Sequence, residues 1–285
     1  MNYRHAYHAG NFADVHKHVA LVSILLHLRR KETPFAVIDT HAGRGVYDLS
    51  AEQAQRTQEA AEGIARLNGY AAQTPALKKY LEIVGGFDAL HYPGSPRIIA
   101  QLLRAQDRLV AIEKQPEECR ALRSALSPFS TARTILGDGY TQLPRLLPPT
   151  ERRGVVLIDP SYEEPDELQQ LAAAFADAYR RFAHGLYLIW FPLKEGSPAE
   201  ALAGELRNAG ATKLLSITLD AGRATDDPPG KLSASGLMVV NPPYGFDTEM
   251  RAATSEILPL LRRGPEARHS KESQRDRDRQ LSRPS

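Results

Sequence analysis

Residues 154–163 read Gly-Val-Val-Leu-Ile-Asp-Pro-Ser-Tyr-Glu. The apolar run has the length and the Val/Leu/Ile content of a strand buried on both faces. Pro160 cannot donate to a ladder, so the strand must stop there. An acid, a rigid kink and an aromatic ring are thereby set at the carboxyl end of a buried strand. In open α/β sheets that is the end where ligands bind. The other elements have to supply the sheet around it.

Further strands are expected at 34–40, 108–112, 132–136 and 185–191, the last stopped by Pro192, and a closing pair at 214–219 and 236–240. Helical stretches alternate with them, including 12–30 and 116–126, which predicts a mostly parallel, Rossmann-like α/β sheet with helices on both faces. The first strand ends in Asp39-Thr40 and enters His41-Ala42-Gly43-Arg44-Gly45, a turn that lets a ligand approach the backbone. The third glycine of the dinucleotide fingerprint is replaced by Asp48, which disfavours NAD and suits a nucleoside-bearing ligand without a pyrophosphate. An acid for ribose hydroxyls, expected about 20 residues further on, does not arrive on schedule. Residues 46–94 read instead as an amphipathic helical insertion ending in Tyr92-Pro93-Gly94. Ser95 then reads as an N-cap with Pro96 at the first helical position. The delayed strand ends in Glu113, placed to hold ribose. The third ends in Gly137-Asp138-Gly139, an acid in a glycine turn that can accept an adenine amine. Glycine turn, Glu113, Asp138 and Asp159 each follow a strand, in the order that one S-adenosylmethionine site needs.

A second tetrapeptide, Asn241-Pro242-Pro243-Tyr244, matches the amino-methyltransferase motif better letter for letter than Asp159-Pro160-Ser161-Tyr162. If the last two strands form a hairpin, however, the final one runs against the parallel set. Its carboxyl end then lies away from the glycine turn, and the role expected for it is to stop a strand.

Net charge is +2, but residues from Arg262 onward carry eight basic and four acidic side chains, leaving the body at −2. Nucleic-acid contact would therefore come from a local patch or the tail. One patch is the aromatic and basic N-terminus, with Tyr3, Arg4, His5, Tyr7 and His8, whose side chains can stack on bases and meet phosphate. His5, His8, His16 and His18 lack the carboxylate spacing of a metal site. His18 falls on or beside the buried stripe of its helix, where a hydrogen-bonded core histidine is the plain expectation. A lone cysteine, Cys119, excludes a disulfide framework. No apolar run nears the roughly 20 residues of a membrane span, and no signal peptide is apparent. A cytoplasmic protein is expected, with a methyltransferase domain over 1–45 and 95–262, the insertion over 46–94 and a disordered charged tail over 263–285.

Tyr-Arg-His-Ala-Tyr-His-Ala-Gly-Asn (3–11), Asp-Val-His-Lys-His (14–18), Asp-Thr-His-Ala-Gly-Arg-Gly (39–45), Tyr-Pro-Gly-Ser-Pro (92–96), Gly-Asp-Gly (137–139) and Ile-Asp-Pro-Ser-Tyr-Glu (158–163) together resemble the ribosomal RNA large subunit methyltransferase J family. The resemblance implies a class I S-adenosylmethionine-dependent fold with an inserted helical subdomain. The implied activity is N6-methylation of one adenine in 23S rRNA, before full ribosome assembly, by a monomer that needs no metal. It implies cofactor contacts from His18, His41, Gly43, Ser95, Glu113, Asp138, Gly139 and Asp159, and RNA contact from Tyr3, with Arg4 beside it. Asp159, Pro160 and Tyr162 become the catalytic set, Tyr162 stacking on a flipped-out base. Two features depart from the family: Ser161 stands where Pro is common, and a charged end replaces a short apolar, Trp-containing one. Rival activities are glutamine amide methylation, DNA adenine methylation, a catalytically dead RNA-binding role and NAD-dependent redox chemistry.

Overall fold

The computed structural model describes residues 5–193, 198–225, 227, 228 and 230–273, the side chains of 271–273 excepted. Tyr3, Arg4 and residues 274–285 lie outside the described residues.

Five parallel strands form the sheet's main body: β1 (Ala36–Asp39), β4 (Arg108–Glu113), β5 (Ala132–Leu136), β6 (Gly154–Ile158) and β7 (Leu186–Leu193). A two-stranded antiparallel ribbon, β2 (Val46–Asp48) with β3 (His91–Pro93), stands apart. The main sheet is extended by β8 (Leu214–Asp220), β9 (Ala234–Val240) and β10 (Arg268–Ser273), in the order β10-β8-β9-β7-β6-β1-β4-β5. Buried on every residue, β6 lies between β1 and β7. Its apolar run is long enough to cross the sheet once and no more.

Strand β9 runs antiparallel to both β7 and β8, pairing Tyr187 with Val240 and Leu193 with Ala234. Its carboxyl end therefore sits where the parallel strands begin. There Asn241 Nδ2 donates to the carbonyls of Ala183 and Gly185, both at 2.8 Å. The second tetrapeptide closes the far margin of the sheet, as its strand direction predicted. Pro192 does not stop β7. Beyond Ile189 the strand has lost β6 and pairs only with β9, a one-sided setting where proline is tolerated.

The helices are α1 (Phe12–Arg29), α2 (Glu52–Thr57), α3 (Glu59–Glu62), α4 (Pro75–Val84), α5 (Ser95–Leu102), α6 (Pro116–Leu126), α7 (Gly139–Gln142), α8 (Glu167–Arg181), α9 (Ala199–Asn208) and α10 (Phe246–Leu261). Asn11 caps α1, its Oδ1 accepting from Asp14 N at 2.8 Å. From Phe12 to Leu25 every residue of α1 is buried. This helix lies inside the molecule, with α4, α5 and α10 around it and β9 beneath.

The inserted segment differs from the expectation in two ways. It opens and closes on the β2–β3 ribbon, so it is not wholly helical. Ile64, Leu67, Leu77, Tyr80 and Ile83 also join Val15, Val19 and Val22 of α1 in one hydrophobic core. The tail boundary needs correction as well. Arg263 is buried against Glu62 and Asp227, and β10 pairs with β8 over six residues. No helix among the described residues is long and apolar enough to cross a membrane.

Candidate active site

The carboxyl ends of β1, β4, β5 and β6 share one margin of the sheet and deliver Asp39, Glu113, Asp138 and Asp159 to it. A cavity of about 340 Å³ opens there, lined by residues including His18, His41, Gly43, Ser95, Glu113, Asp138, Gly139 and Asp159. Every residue expected from the sequence to hold the cofactor is thus brought to one hollow.

Local chemistry explains each placement. Gly43 has φ +62°, and a Cβ there would meet the Tyr47 hydroxyl oxygen at 2.1 Å. Its N–H donates to Glu113 Oε2 at 2.9 Å, while Gln115 N donates to Oε1 at 2.7 Å. Burial raises the Glu113 carboxyl against those two donors. Gly139 lies against β1: an added Cβ would sit 2.2 Å from the Thr40 carbonyl oxygen. Asp138 caps α7, Oδ1 accepting from Thr141 N at 2.9 Å, and its Oδ2 lies 3.4 Å from Lys114 Nζ. Burial pushes its carboxyl up, but Thr141 and Lys114 outweigh this and lower it.

The Thr40 hydroxyl donates to Leu157 O at 2.9 Å and lies 2.8 Å from His41 Nδ1. The ring proton therefore belongs on Nδ1, donating to Thr40, which leaves Nε2 to accept. Burial lowers His41 to about 4 and His18 to about 3, so both rings are neutral at pH 7. His18 Nδ1 is 2.7 Å from the Tyr92 hydroxyl, itself 2.9 Å from that of Tyr80. His18 is thus both a satisfied core histidine and a cavity wall.

Ser95 is the first residue of α5 and does not cap it; Gly94 occupies the cap position. Its hydroxyl instead donates to Asp39 Oδ2 at 2.6 Å. Asp39 is fully buried. Burial, joined by the charge of Asp159, raises its carboxyl to about 7 despite the Ser95 bond. A buried acid raised above its unfolded value of about 4 binds an extra proton in the native state, so it costs stability as pH climbs from about 4 to 7. Asp39→Asn should therefore raise the melting temperature at pH 8 and leave it little changed at pH 4. Scanning calorimetry at the two pH values checks this, and an equal shift at both would contradict it.

Sequence reasoning missed the groups behind Asp159. The Lys17 ammonium donates to Asp159 Oδ2 and, at 2.8 Å, to Asp14 Oδ1. Asp14 Oδ2 accepts from Gly10 N and faces His5 Nε2, both at 2.9 Å. Burial opposes the charge on Lys17, but the two carboxylates outweigh it and raise its pKa. Burial likewise opposes Asp14, which His5 and Lys17 hold well below the usual range. A lysine in the middle of an apolar helix was the available signal.

A second cavity, of about 230 Å³, adjoins the first across Asp159. Pro160, Ser161, Trp190 and His5 contribute to its lining. Tyr162 lines neither cavity. It has φ +53°, donates through its hydroxyl to Trp190 O at 3.0 Å and sets its ring edge-on to the indole at 5.9 Å. The four N-terminal histidines diverge: His5 faces Asp14, His8 faces Glu59, His16 faces Ser235 and His18 faces Tyr92. No group of three or more potential metal ligands occurs among the described residues.

A sequence profile described as ribosomal RNA large subunit methyltransferase D, RlmJ, matches residues 32–267. The chain belongs to the ribosomal RNA large subunit methyltransferase J family. Proteins of that name from Escherichia coli K12 and Haemophilus influenzae are each 39% identical over 92% of both chains. A crystal structure of a Legionella pneumophila protein, 32% identical, superposes with TM-score 0.82 over 93% of this chain and 98% of that one. A probable spermidine synthase from Corynebacterium glutamicum, 12% identical, aligns with TM-score 0.55 over 98% of this chain and 81% of that one, a likeness of fold alone. The profile match covers the site from β1 through Asp159 to Trp190 and begins after Lys17 and His18 of α1.

Proposed function

We propose that this protein transfers a methyl group from S-adenosylmethionine to the exocyclic N6 of one adenine in 23S rRNA. The observation that carries this reading is the meeting of two cavities at Asp159. One has the donor set of a nucleoside-bearing cation, and the other has room for a base.

The chemistry of the first cavity fits the cofactor. Glu113 keeps lone pairs for ribose hydroxyls beyond those used by Gly43 and Gln115. Asp138 Oδ2, at the carboxyl end of β5, can accept an adenine amine. Only glycine at 139 lets this backbone pack against Thr40 while lining the cavity, and the several acids favour a sulfonium. S-adenosylmethionine, when bound, supplies an electrophilic methyl group.

Adenine N6 is a weak nucleophile because its lone pair is conjugated into the ring. Lys17 occupies Oδ2 of Asp159, and Oδ1 has no hydrogen bond among the described residues. Oδ1 can accept one amine N–H and the Pro160 carbonyl the other. That pair favours a pyramidal amine with its lone pair turned to the first cavity. Lys17 fixes the Asp159 carboxylate, so the gain comes from positioning and preset charge. Asp159 takes the proton that the amine releases. The target base is turned out of its helix to reach this depth, with Trp190 as the ring of the cavity wall and Tyr162 behind it. Tyr3 and Arg4, which lie outside the described residues, are assigned to RNA contact.

Incubating transcribed 23S rRNA with the protein and methyl-labelled S-adenosylmethionine should yield N6-methyladenosine at one site after nuclease digestion and mass mapping. Label on a glutamine of a release factor or ribosomal protein, or on DNA, with none on the RNA, would overturn the assignment.

A further inference from the structure

Trp190 is the single tryptophan of the sequence, and its indole lines the second cavity together with Asp159 and Pro160. The polar end of the ring is tied. Trp190 Nε1 donates to Ser235 Oγ at 3.0 Å, and Ser235 Oγ lies 3.1 Å from His16 Nδ1. Ser235 and His16 are both fully buried. Strand pairing explains how they meet. Trp190 is opposite Leu237 and Pro192 opposite Ser235, so Ser235 is a diagonal neighbour of Trp190 across β7 and β9. Helix α1 packs on β9 and supplies His16.

Donor accounting gives the chain a direction. An indole nitrogen only donates. Ser235 Oγ accepts from it, and the hydroxyl proton passes to His16 Nδ1. That places the imidazole proton on Nε2, which has no hydrogen-bond partner among the described residues. A buried polar atom left open in this way lowers stability. An apolar residue at position 16 would avoid that penalty, since Val15, Val19 and Ala20 around it are all buried. His16 is therefore kept for what it holds. Its neighbour in the chain, Lys17, reaches the other wall of the same cavity through Asp159.

Building on the adenine transfer set out above, we propose that Ser235 and His16 are positioning residues that pin the Trp190 indole as the preset wall of the acceptor cavity. Helix α1 then fixes two sides of that cavity at once, the acid through Lys17 and the ring through His16. A wall held before the base arrives spares the ordering of a large side chain on binding.

Because Trp190 is the only tryptophan, its fluorescence reads this pin without activity. In full-length Ser235→Ala, the steady-state anisotropy of Trp190 should fall in the absence of any ligand. The kcat/KM for transcribed 23S rRNA should drop about fivefold, the weight of one neutral hydrogen bond. Affinity for S-adenosylmethionine should stay within about twofold, since Ser235 is outside the first cavity. His16→Leu, which also removes the open nitrogen, should remain folded and show the same drop in anisotropy. In a Trp190→Phe background, which lacks the N–H, adding Ser235→Ala should cost nothing further. Unchanged anisotropy in both single variants, or an equal loss from Ser235→Ala with Phe at position 190, would overturn the proposal. Failure of the wild-type protein to methylate RNA would instead overturn the activity assigned above, and the ligand-free anisotropy would still decide the pin.

Discussion

Asp159→Ala should abolish methyl transfer, by at least about a thousandfold in single-turnover rate, while the affinity for S-adenosylmethionine should change by no more than a few-fold. The separation follows from the geometry. Asp159 stands at the junction of the two cavities, and its Oδ1 has no hydrogen-bond donor among the described residues. Glu113, Asp138 and the glycine turn, which make the first cavity, do not depend on it. Asp159→Asn keeps the volume but trades the charge for an amide, one end of which repels an amine N–H, so it should be nearly as inactive. Isothermal titration with the cofactor beside a quenched-flow methylation assay reads both quantities. Retained turnover in Asp159→Ala would sink the assignment, and loss of cofactor binding would show that the Asp159 wall of the first cavity is needed to hold the cofactor.

Lys17→Met carries the second large effect, and it falls on stability as well as rate. Lys17 is 5% exposed, and its partners Asp14 and Asp159 are 2% and 14% exposed. Removing the shared ammonium leaves two carboxylates facing one another with little water. Breaking a buried pair from one side typically costs about 3–5 kcal/mol. The melting temperature should fall by roughly 5–15 °C for a chain of this size. The transfer rate should fall at least about a hundredfold, because Asp159 loses the contact that sets its orientation. Asp14→Asn in the same background should recover part of the stability and none of the rate. A melting temperature equal to wild type in Lys17→Met would show that the pair is not buried in solution.

Much of this was legible in the chain because it depends on local features. An acid after an apolar run marks a strand end, and four such ends had to fall on one margin once the strands were parallel. The direction of β9, and with it the placement of Asn241–Tyr244 at the opposite margin, followed from the expected hairpin alone. What escaped depends on distance along the chain. Lys17 and Asp159 are 142 residues apart, and nothing local announces their meeting. Ser95 looked like a cap because Ser-Pro so often is one, yet its hydroxyl is taken by Asp39, 56 residues away. Pro192 looked like a stop because the loss of β6 beside it depends on the register. The insertion looked separable because its helices are amphipathic, whereas their apolar faces are spent on α1.

Strand β10 eluded the sequence for a different reason. Arg268–Ser273 is polar throughout, with no alternation to betray a strand, since a strand on the rim needs backbone partners more than an apolar face. Its hydrogen bonds cover the outer edge of β8, whose residues Leu215, Ile217 and Leu219 are buried. Left bare, that edge would offer unpaired amides and carbonyls to any other extended chain, the usual seed of aggregation. Segments of charged, low-hydropathy composition are commonly trimmed before crystallisation or assay as dispensable. Here such trimming at the obvious place would strip a guard from the sheet, and a fall in solubility could be mistaken for a fault in the catalytic body.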